Sequence, residues 1–531
     1  MILDARRHDG SRLEADICIV GAGAAGITLA MELAASGHAV LLLESGGLDF
    51  DAVTQSLCEG ENASFAEFPI EATRLRFLGG STNHWHGMTH PLIEADLAAR
   101  PGIAATGWPI GLGEIRPFYR RAQEICQLGR VDFADVEGWQ VRAGGHPVRL
   151  EDPAIVPAVA HFSPPTRFGS AYRRVLERAP NLRVLLNANA VELVADDGAA
   201  HVKAITARCI GGPAFTVVPR VAVLALGGLE NARLLLLSRR QQPAGLGNGH
   251  DVVGRYYMDH STIAGGFLQL APGAPDLRFF LGPSDIGDSR LHGIFVPRPE
   301  ALVREGIGNF RLQLYPAAAP SPGVESAKAL MNFGHDAEIR RNLGRHLANI
   351  MGDIDDVADL LYKNVIDRKG FKAPVPAAAG RTALVELSGE QFPNRDSRAS
   401  LSDRRDLLDQ PRLRLDWRVQ DIDLHGWRRG MEMFAAAIGA AGLGRVRITG
   451  DLLGDGARRI VGISCHHMGT TRMAADPKAG VVDGNCRVHG IDNLYIAGSS
   501  VFPTGGWANP TLTIVALAFK TAKSVQSALG A

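Results

Sequence analysis

Three histidines follow a pair of glycines in the stretch GGSTNHWHGMTHP at residues 79–91. Imidazole nitrogens bind metal ions and transfer protons near neutral pH, so His84, His86 and His90 suggest a metal site, a cofactor contact or a packed turn. Their spacing would bring three rings to one zinc ion only in a special loop, and no carboxylate or thiolate follows until residue 94. We therefore predict no metal site here and interpret Trp85 as a core residue.

A glycine-rich motif near the N-terminus predicts a bound dinucleotide. An apolar strand runs into Gly21-x-Gly23-x-x-Gly26, a helix follows, and a second apolar strand ends in Glu44. Gly21 permits a tight turn, Gly23 lets the backbone approach a pyrophosphate, and Gly26 lets the helix pack against the strand. Glu44 falls where a carboxylate accepts hydrogen bonds from an adenosine ribose. The motif does not choose between NAD and FAD.

The C-terminal region carries a second dense pattern. Residues 493–498 predict a short buried strand that ends at Gly498, and a loop rich in Gly, Pro and Ser follows. Asn509 is expected as the N-cap and Pro510 in the first turn of an apolar helix that continues from Thr511. A helix N-terminus directed at a flavin ring stabilises negative charge on that ring.

These segments together resemble the glucose–methanol–choline (GMC) family of FAD-dependent oxidoreductases, over nearly the whole chain. The resemblance also rests on four further motifs: Gly107-Trp108-Pro109 with a helix containing Tyr119, Ala225-Leu-Gly-Gly-Leu-Glu-Asn-Ala-Arg233, Val253-Gly254-Arg255-x-x-Met258-x-His260, and Glu390-Gln-x-Pro-Asn394-x-x-Ser-Arg398. Bacterial members that act on sugars and polyols look most similar, including large subunits of sugar dehydrogenases and pyranose-oxidase-like enzymes. The resemblance implies an α/β fold, with a Rossmann-like FAD-binding domain of the p-hydroxybenzoate-hydroxylase type. A second, α+β substrate domain is built on a mixed or antiparallel sheet.

The resemblance also implies a catalytic pair. The family's catalytic histidine precedes a Gly-Thr pair by three residues, which gives His466, and its second catalytic position falls at Asn509. A neutral histidine accepts the hydroxyl proton, and an asparagine hydrogen-bonds the substrate oxygen. Because neighbouring residues on a strand point to opposite faces, we expect only His466 to face the flavin and His467 to be a packed or hydrogen-bonded neighbour. His260 and His489 are expected to be structural or peripheral.

FAD is the implied cofactor, and its expected contacts come from every motif above. They are Gly21, Gly23, Ala24, Gly26, Glu44, Ser45, Gly79, Gly80, Ser81, Asn83, His84, Val191, Gly498, Asn509, Pro510 and Thr511. In some family members the histidine four residues after the second glycine is bonded covalently to the flavin. Here that residue is His84, and both covalent and non-covalent binding stay open. Val191 is interpreted as the adenine contact at the end of a strand over residues 183–191.

Two domains are expected, and both are discontinuous. Residues 1–95, 180–260 and 450–531 would form the FAD-binding domain, and residues 96–179 and 261–449 the substrate domain. The predicted strands of the substrate domain are 267–270, 293–297, 310–314, 383–388 and 413–417. We interpret residues 316–323 as a surface connector and residues 335–368 as an amphipathic helix with a solvated face.

The charge balance and the cysteine pattern limit the partners and the cellular compartment that we expect. Lys and Arg total 56 against 56 for Asp and Glu, a balance that argues against nucleic acid as a partner. The six cysteines form no CxxC pair, which favours reduced thiols over zinc or a disulfide scaffold. The N-terminus does not resemble a signal peptide and no apolar run is long enough to span a bilayer. A cytoplasmic protein is expected, with export or membrane association through a partner left open.

The resulting functional prediction is oxidation of an alcohol CH–OH group on a sugar, polyol or glycoside. Proton abstraction and hydride transfer to flavin N5 would carry the reaction, with the enzyme acting as a dehydrogenase. The electron acceptor (a quinone, a cytochrome or O₂) and a small partner subunit stay open. The alternatives are an H₂O₂-forming oxidase, an enzyme for a non-sugar alcohol, and a non-redox flavin lyase.

Overall fold

The fold is built on two large β-sheets, each with its own hydrophobic core. The computed structural model describes residues 1–150, 154–316, 326, 330, 343–352, 381–454 and 457–530. One sheet is largely parallel and the other is antiparallel, which confirms the predicted fold class.

Within the described residues, an eight-stranded sheet contains the dinucleotide motif. Its strands are β1 (Ile2–Asp4), β2 (Leu13–Val20), β3 (Val40–Leu43), β7 (Leu182–Leu186), β8 (Asn189–Ala195), β9 (Val202–Arg208), β10 (Ala214–Leu224) and β20 (Leu494–Ile496). They lie in the order β1-β7-β3-β2-β10-β9-β8, and β20 pairs with the C-terminal end of β10. The pairs from β1 to β10 are parallel, and β9 and β8 are antiparallel.

This sheet places three site segments at one edge. The four residues of β3 are all buried and apolar, as expected for a parallel strand covered on both faces. Because β2, β3 and β10 run in the same direction, the turns that contain Gly21, Glu44 and Ala225 meet at the carboxyl edge. Ligands of open α/β sheets bind at that edge.

A nine-stranded antiparallel sheet forms the second core of the described chain. Its strands are β5 (Met88–Thr89), β6 (Ile155–Phe162), β11 (Ser261–Leu270), β12 (Ser284–Ile286), β13 (Ser289–Pro297), β14 (Phe310–Pro316), β15 (Thr382–Gly389), β18 (Gly444–Ile448) and β19 (Gly462–Ile463). The predicted strands 267–270, 293–297, 310–314 and 383–388 fall within β11, β13, β14 and β15 and are confirmed.

A three-stranded sheet lies apart from both. Its strands are β4 (Gly60–Asn62), β16 (Arg398–Arg405) and β17 (Pro411–Asp416). The predicted strand 413–417 exists as β17 but pairs in this sheet and not in the nine-stranded one, whereas its residues Leu413, Leu415 and Trp417 pack in the same core as the nine-stranded sheet. Its assignment to the substrate domain stays a prediction. β17 pairs in parallel with β4, and strand pairing over this sequence distance is not encoded in the local pattern.

Helices cover the sheets. Those of the described chain are α1 (Ala24–Ala35), α2 (Ala52–Gln55), α3 (Glu94–Leu97), α4 (Leu112–Ile125), α5 (Val136–Arg142), α6 (Phe168–Arg178), α7 (Gly227–Leu237), α8 (Arg278–Leu281), α9 (Pro299–Glu305), α10 (Leu343–Gly352), α11 (Asp421–Ala440), α12 (Gly450–Leu453) and α13 (Thr511–Leu529). α13 packs against α1 and α4, and α6 also contacts α1. None of these helices is both long enough and apolar enough to cross a membrane.

The domain boundaries at residues 95, 180, 260 and 450 stay a prediction. The segment assigned to the substrate domain includes α4 and α6, and these pack on α13 and α1. β5, from the other assigned segment, pairs with β6 of the nine-stranded sheet.

Two local predictions need correction, and two others lie largely outside the described residues. The single strand expected over residues 183–191 is two strands, β7 and β8, because the backbone turns at Asn187 with φ of 60°. Pro510, not Asn509, is the N-cap residue of α13, so the helix begins one residue later than expected. The connector 316–323 lies outside the described residues except for Pro316, and of the helix predicted over 335–368 only α10 is described.

Candidate active site

A cavity of ≈ 390 Å³ opens at the carboxyl edge of the eight-stranded sheet. Its walls come from distant stretches of chain: the glycine turn 21–25, Glu44 with Ser45, Cys58, residues 72–76, residues 80–86, residues 225–230, residues 464–467, Gly498 with Ser499, and residues 509–514 at the start of α13. Predicted site residues from the N-terminus and the C-terminus therefore line one continuous space.

The three motif glycines have three different physical roles. A Cβ on Gly26 would lie 1.8 Å from the Gly21 carbonyl oxygen, so Gly26 is required for close packing within the turn. Gly21 has φ of 101°, and a Cβ there would lie 2.6 Å from the Ala225 oxygen. A Cβ on Gly23 would meet nothing within 4 Å, although Gly23 lines the cavity. Protein packing therefore does not require glycine at position 23. A ligand bound directly against the backbone there would require it.

The end of β3 presents a buried carboxylate to the cavity. Glu44 is 5% exposed, and its Oε2 accepts the Ala22 N–H at 2.8 Å. Its Oε1 accepts the Gly46 N–H at 2.9 Å and the Ser45 hydroxyl at 3.2 Å. These bonds fix the carboxylate beside the N-terminus of α1, at the place predicted for ribose recognition.

A buried ionic cluster lines the same wall and was not predicted. Glu230 accepts hydrogen bonds from Arg74 at 2.9 Å and Arg76 at 2.7 Å, and Arg233 joins Glu230 at 3.3 Å to Asp406 at 2.6 Å. Burial alone would raise the pKa of Glu230, but the three guanidiniums outweigh it and the pKa lies well below its ordinary value. Three guanidiniums against two carboxylates leave one positive charge.

The local sequence contained a signal for this cluster. Two arginines two residues apart precede the Gly79-Gly80 pair, and a glutamate stands within the Ala225–Arg233 motif. Their convergence depends on the long loop that follows β3, so their pairing could not be read from spacing. A net positive charge beside the cavity is suited to binding a pyrophosphate.

A small cavity of ≈ 40 Å³ continues beyond the cluster and shares Ser45, Arg76 and Glu230 with the large one. Val191 lines this small cavity together with Asn189, whose buried Oδ1 has no hydrogen-bond partner among the described residues. The position predicted to contact adenine therefore lies next to the large cavity and not within it.

Only some residues of the stretch GGSTNHWHGMTHP (79–91) line the cavity. Gly80, Ser81, His84, Trp85 and His86 line the large cavity. Burial, followed by the charge of Arg167 and by His86, lowers the pKa of His84. The Trp85 indole also donates to the Thr166 carbonyl at 2.9 Å.

Two predicted cofactor contacts in this stretch do not line the cavity. A Cβ on Gly79 would lie 2.7 Å from the Gly169 nitrogen, so Gly79 serves packing against α6. The Asn83 amide donates to the Leu78 carbonyl at 3.0 Å and closes the local turn. Gly26 likewise serves packing and does not line the cavity.

His90 is separated from His84 and His86. Its Nδ1 lies 2.6 Å from the Pro91 oxygen, and its ring packs at 4.5 Å from the Trp507 ring and 4.7 Å from the Phe133 ring. In the part of the chain that the structure describes, no group of three or more His, Cys, Asp or Glu side chains is arranged to hold a metal ion.

His466 and His467 both line the cavity, which contradicts the expectation of opposite faces. Residues 464–467 are not a strand, and Cys465 between Ser464 and His466 has φ of 58°, so the alternation rule does not apply. His467 uses both ring nitrogens: Nδ1 lies 2.8 Å from the Tyr257 hydroxyl and Nε2 2.9 Å from the Thr73 hydroxyl.

His466 has a different set of partners. Its Nδ1 lies 2.9 Å from Nδ1 of His260, and its backbone N–H donates to Asp259 at 2.9 Å. Burial, followed by the neighbouring His260 and Arg311, holds the pKa of His466 well below its ordinary value. His260 therefore contacts the predicted base directly, although a structural or peripheral role was expected for it. His489 is remote from the cavity, and its Nε2 lies 3.0 Å from the Ala474 oxygen.

Asn509 also lines the cavity, just before α13. Its buried Oδ1 has no hydrogen-bond partner within the described chain. Pro510 and Thr511 continue the wall, as do Gly498 and Ser499. An orphaned buried amide oxygen beside a helix N-terminus is suited to a bound polar ligand.

These observations fit a bound dinucleotide such as FAD. The open face of Gly23, the unpaired amide oxygen of Asn509 and the N-termini of α1 and α13 all border one cavity. The first four N–H groups of a helix have no intrahelical acceptor, so both termini offer donors to phosphate or to a ring carbonyl. The neutral imidazole of His466 adds a proton acceptor to the same wall.

Comparisons with known proteins agree with this geometry. The family described as GMC oxidoreductase matches residues 393–518. The chain is 26% identical to 6'''-hydroxyparomomycin C oxidase of Streptomyces lividus, over 97% of this chain and 92% of that protein. It is 22% identical to 2-methyl-1,2-propanediol dehydrogenase of Mycolicibacterium austroafricanum, over 96% of this chain and 94% of that protein. A structure of Aspergillus oryzae formate oxidase, solved to follow modification of its FAD, shares the fold with a TM-score of 0.56 at 16% identity, over 97% of this chain and 98% of that one.

Proposed function

We propose that the chain is a glucose–methanol–choline (GMC) oxidoreductase, on its match to the family over residues 393–518 and its full-length similarity to a named oxidase and a named dehydrogenase. We further propose that it oxidises a CH–OH group of a sugar-like alcohol with FAD as its cofactor. One observation carries the proposal. A neutral histidine and an unpaired buried amide border the same cavity as the dinucleotide turn. Proton removal, substrate orientation and cofactor binding would therefore take place in one space.

The chain offers a donor or acceptor for each part of FAD. Gly23 and the N-terminus of α1 would hold the pyrophosphate, with Arg74 and Arg76 supplying positive charge nearby. Glu44 would accept from the ribose, and Val191 would border the adenine. Asn509 and the N-terminus of α13 would face the ring system.

Two side chains would act on the substrate. The Asn509 side-chain N–H group would donate to the reacting oxygen and hold the α-carbon in place. His466 would accept the hydroxyl proton, which its lowered pKa permits because the imidazole is neutral at neutral pH. When bound, FAD supplies the acceptor for the α-hydride. Loss of one proton and one hydride converts the CH–OH group to a carbonyl.

A hydroxyl-rich substrate is supported by buried polar side chains on β14, which contacts the loop that leads to Asn509. Arg311 and Gln313 on β14 are buried and bonded to each other at 3.0 Å, and Arg311 also donates to the Trp507 carbonyl at 2.7 Å. His292 lies 3.3 Å from Gln313. Buried polar side chains next to the loop that leads to Asn509 would complement several hydroxyl groups better than an apolar alcohol. The similarity to an oxidase of a hydroxyparomomycin supports the same class.

Anaerobic titration of purified protein with sugars, polyols and simple alcohols tests the reaction. We expect the flavin absorbance to bleach with sugar-like alcohols at lower concentrations than with aliphatic alcohols of matched size. Bleaching by aliphatic diols alone would refute the sugar-like class. Absence of bleaching by every alcohol, with FAD bound, would refute the redox function and favour a lyase.

We propose a dehydrogenase, in line with the full-length similarity to a propanediol dehydrogenase. An oxidase is a second candidate, because the Streptomyces relative of similar coverage is named as one. Reoxidation of the substrate-reduced protein separates them. Slow reoxidation by O₂ with fast reoxidation by a quinone supports the dehydrogenase, and stoichiometric H₂O₂ formation supports the oxidase.

We also propose that His84 bonds covalently to the flavin. His84 lines the cavity, and its lowered pKa leaves the imidazole neutral and nucleophilic. The bond would replace one methyl C–H of the dimethylbenzene edge and the imidazole N–H of His84 by a C–N bond, with two protons released to solvent and the electron pair passed to a quinone or O₂. Acid precipitation tests this: yellow colour retained in the pellet, and lost in His84→Ala, is expected. Full release of FAD from the wild-type pellet would refute the bond.

A further inference from the structure

Two buried histidines from distant parts of the chain meet behind the proposed base. Nδ1 of His466 lies 2.9 Å from Nδ1 of His260, with the rings nearly perpendicular at 85°. Nε2 of His260 lies 2.8 Å from the Gly506 carbonyl oxygen. His260 is 0% exposed, so water does not compete for either nitrogen.

The Gly506 carbonyl decides the direction of both hydrogen bonds. A carbonyl oxygen only accepts, so Nε2 of His260 must carry the proton that bridges to it. A neutral imidazole has one N–H, so Nδ1 of His260 is then a lone pair. Because that lone pair faces Nδ1 of His466, His466 must donate from Nδ1. Nε2 of His466 is left as its only proton acceptor.

The neutral state of His260 follows from its surroundings. Burial, followed by the charge of Arg311, lowers the pKa of His260 to about 3. The other titratable groups that face the pair are Asp259, His467 and His86. Burial raises the pKa of Asp259 to about 7, despite the backbone N–H donors it accepts, and burial lowers the pKa of His467 to about 3.

The carbonyl that sets this polarity is itself anchored. The Gly506 N–H donates to Glu390 at 2.9 Å, and Arg100 pairs with the other oxygen of Glu390 at 3.1 Å. Gly506 has φ of 58°, and a Cβ there would lie 2.6 Å from the Asp96 side chain. The loop before Asn509 is therefore held in one position, and so is the acceptor for His260.

We propose that His260 is a positioning residue that fixes His466 in the tautomer protonated at Nδ1, so that Nε2 alone can take the substrate proton. The proposal rests on the proposed function of His466 as the base. It assigns a purpose to the histidine of the Met258-x-His260 motif and to the glutamate of the Glu390-Gln motif. It also predicts a tautomer, which can be observed without turnover.

Nitrogen-15 NMR of imidazole-labelled protein tests the tautomer directly, with the His466 signals assigned by their loss in His466→Gln. We expect protonated Nδ1 and unprotonated Nε2 at His466 in the wild type near neutral pH. The opposite tautomer, or a mixture of both, would overturn the proposal whether or not the protein oxidises an alcohol. This readout needs no variant of His260 to fold.

Two substitutions extend the test to the rate of flavin reduction. His260→Phe removes the acceptor, and we expect the rate constant to fall about 10- to 100-fold, the range seen when groups that orient metal-binding imidazoles are removed. His260→Asn keeps an acceptor oxygen near the Nδ1 position and should restore most of the rate. His489→Phe is the matched control, because it removes a similar ring-to-carbonyl bond far from the cavity.

The outcomes separate this proposal from the proposed function. A slow rate in His260→Phe that His260→Asn restores, with a mixed His466 tautomer in the His260→Phe variant, supports the positioning role. Equal rates in His260→Phe and wild type would overturn it. If His466→Gln itself leaves flavin reduction unchanged, the base assignment fails, whereas the NMR tautomer still stands or falls on its own.

Discussion

Gly23→Ala should separate cofactor binding from folding. Gly23 is the N-cap residue of α1 with φ of −85°, and a Cβ there meets no protein atom within 4 Å. Gly111 is the N-cap residue of α4 with φ of −86°, and its Cβ also meets nothing. The two substitutions thus make the same local change, but only Gly23 lines the cavity.

The expected magnitudes follow from these contacts. Alanine is a poorer N-cap than glycine, but it also lowers the entropy of the unfolded chain, so each variant should change the unfolding free energy of FAD-free protein by less than about 1 kcal/mol. A methyl group pressed against a bound pyrophosphate adds overpacking of about 1–3 kcal/mol at Gly23 alone. That cost corresponds to a Kd for FAD weakened about 5- to 150-fold.

Flavin fluorescence titration of FAD-free protein gives the Kd, and thermal unfolding with and without FAD gives the stability. We expect Gly111→Ala to match the wild type in both, and Gly23→Ala to match only without FAD. Gly26→Ala should fail to fold well, because its Cβ would lie 1.8 Å from the Gly21 oxygen. Wild-type affinity of Gly23→Ala for FAD would refute the placement of the pyrophosphate over this glycine.

Three further predictions address the base and the ionic cluster. His466→Ala should retain FAD and slow flavin reduction by about 10²–10⁴-fold in stopped-flow measurements, and an unchanged rate would remove it as the base. Because burial, His260 and Arg311 lower the pKa of His466, and only the neutral ring accepts a proton, the reduction rate should stay constant as pH falls through about 6.5 and decline only well below it. A decline centred at about 6.5 would contradict this environment. Glu230→Gln should destabilise the protein by about 3–5 kcal/mol in denaturant unfolding, since it leaves three buried guanidiniums with one carboxylate. Glu192→Gln, which breaks the exposed pair with Arg240, should cost less than about 1 kcal/mol and serves as the control.

Much of the fold could be predicted because its signals are local. The turn at Gly21 follows from a strand that runs directly into glycines, and β11, β13, β14 and β15 follow from apolar runs of strand length. The failures arose where the backbone departs from a regular strand. Positive φ at Asn187 splits a strand, and residues 464–467 are not a strand, so the two neighbouring histidines do not alternate.

The candidate site also contains residues that could be predicted from local motifs and residues that could not. The glycine turn, Glu44, His84, His466 and Asn509 were visible as residue types in motifs, and all of them line the cavity. Gly79 and Asn83 belong to the same motif but serve packing, a distinction that depends on what lies beside them. Arg74, Arg76 and Glu230 were not predicted, since the bonds from the two arginines to Glu230 join segments 156 and 154 residues apart.

Turn geometry and strand or helix periodicity are encoded by neighbouring residues, so the chemical groups and the short segments that present them could be identified from the sequence. How those groups act on one another depends on tertiary packing. The partner of His466 is His260, 206 residues away, and the polarity of their bond is set by the carbonyl of Gly506, 246 residues from His260. A hydrogen bond depends on separations of about 3 Å, and such separations between remote segments exist only after the two sheets have packed.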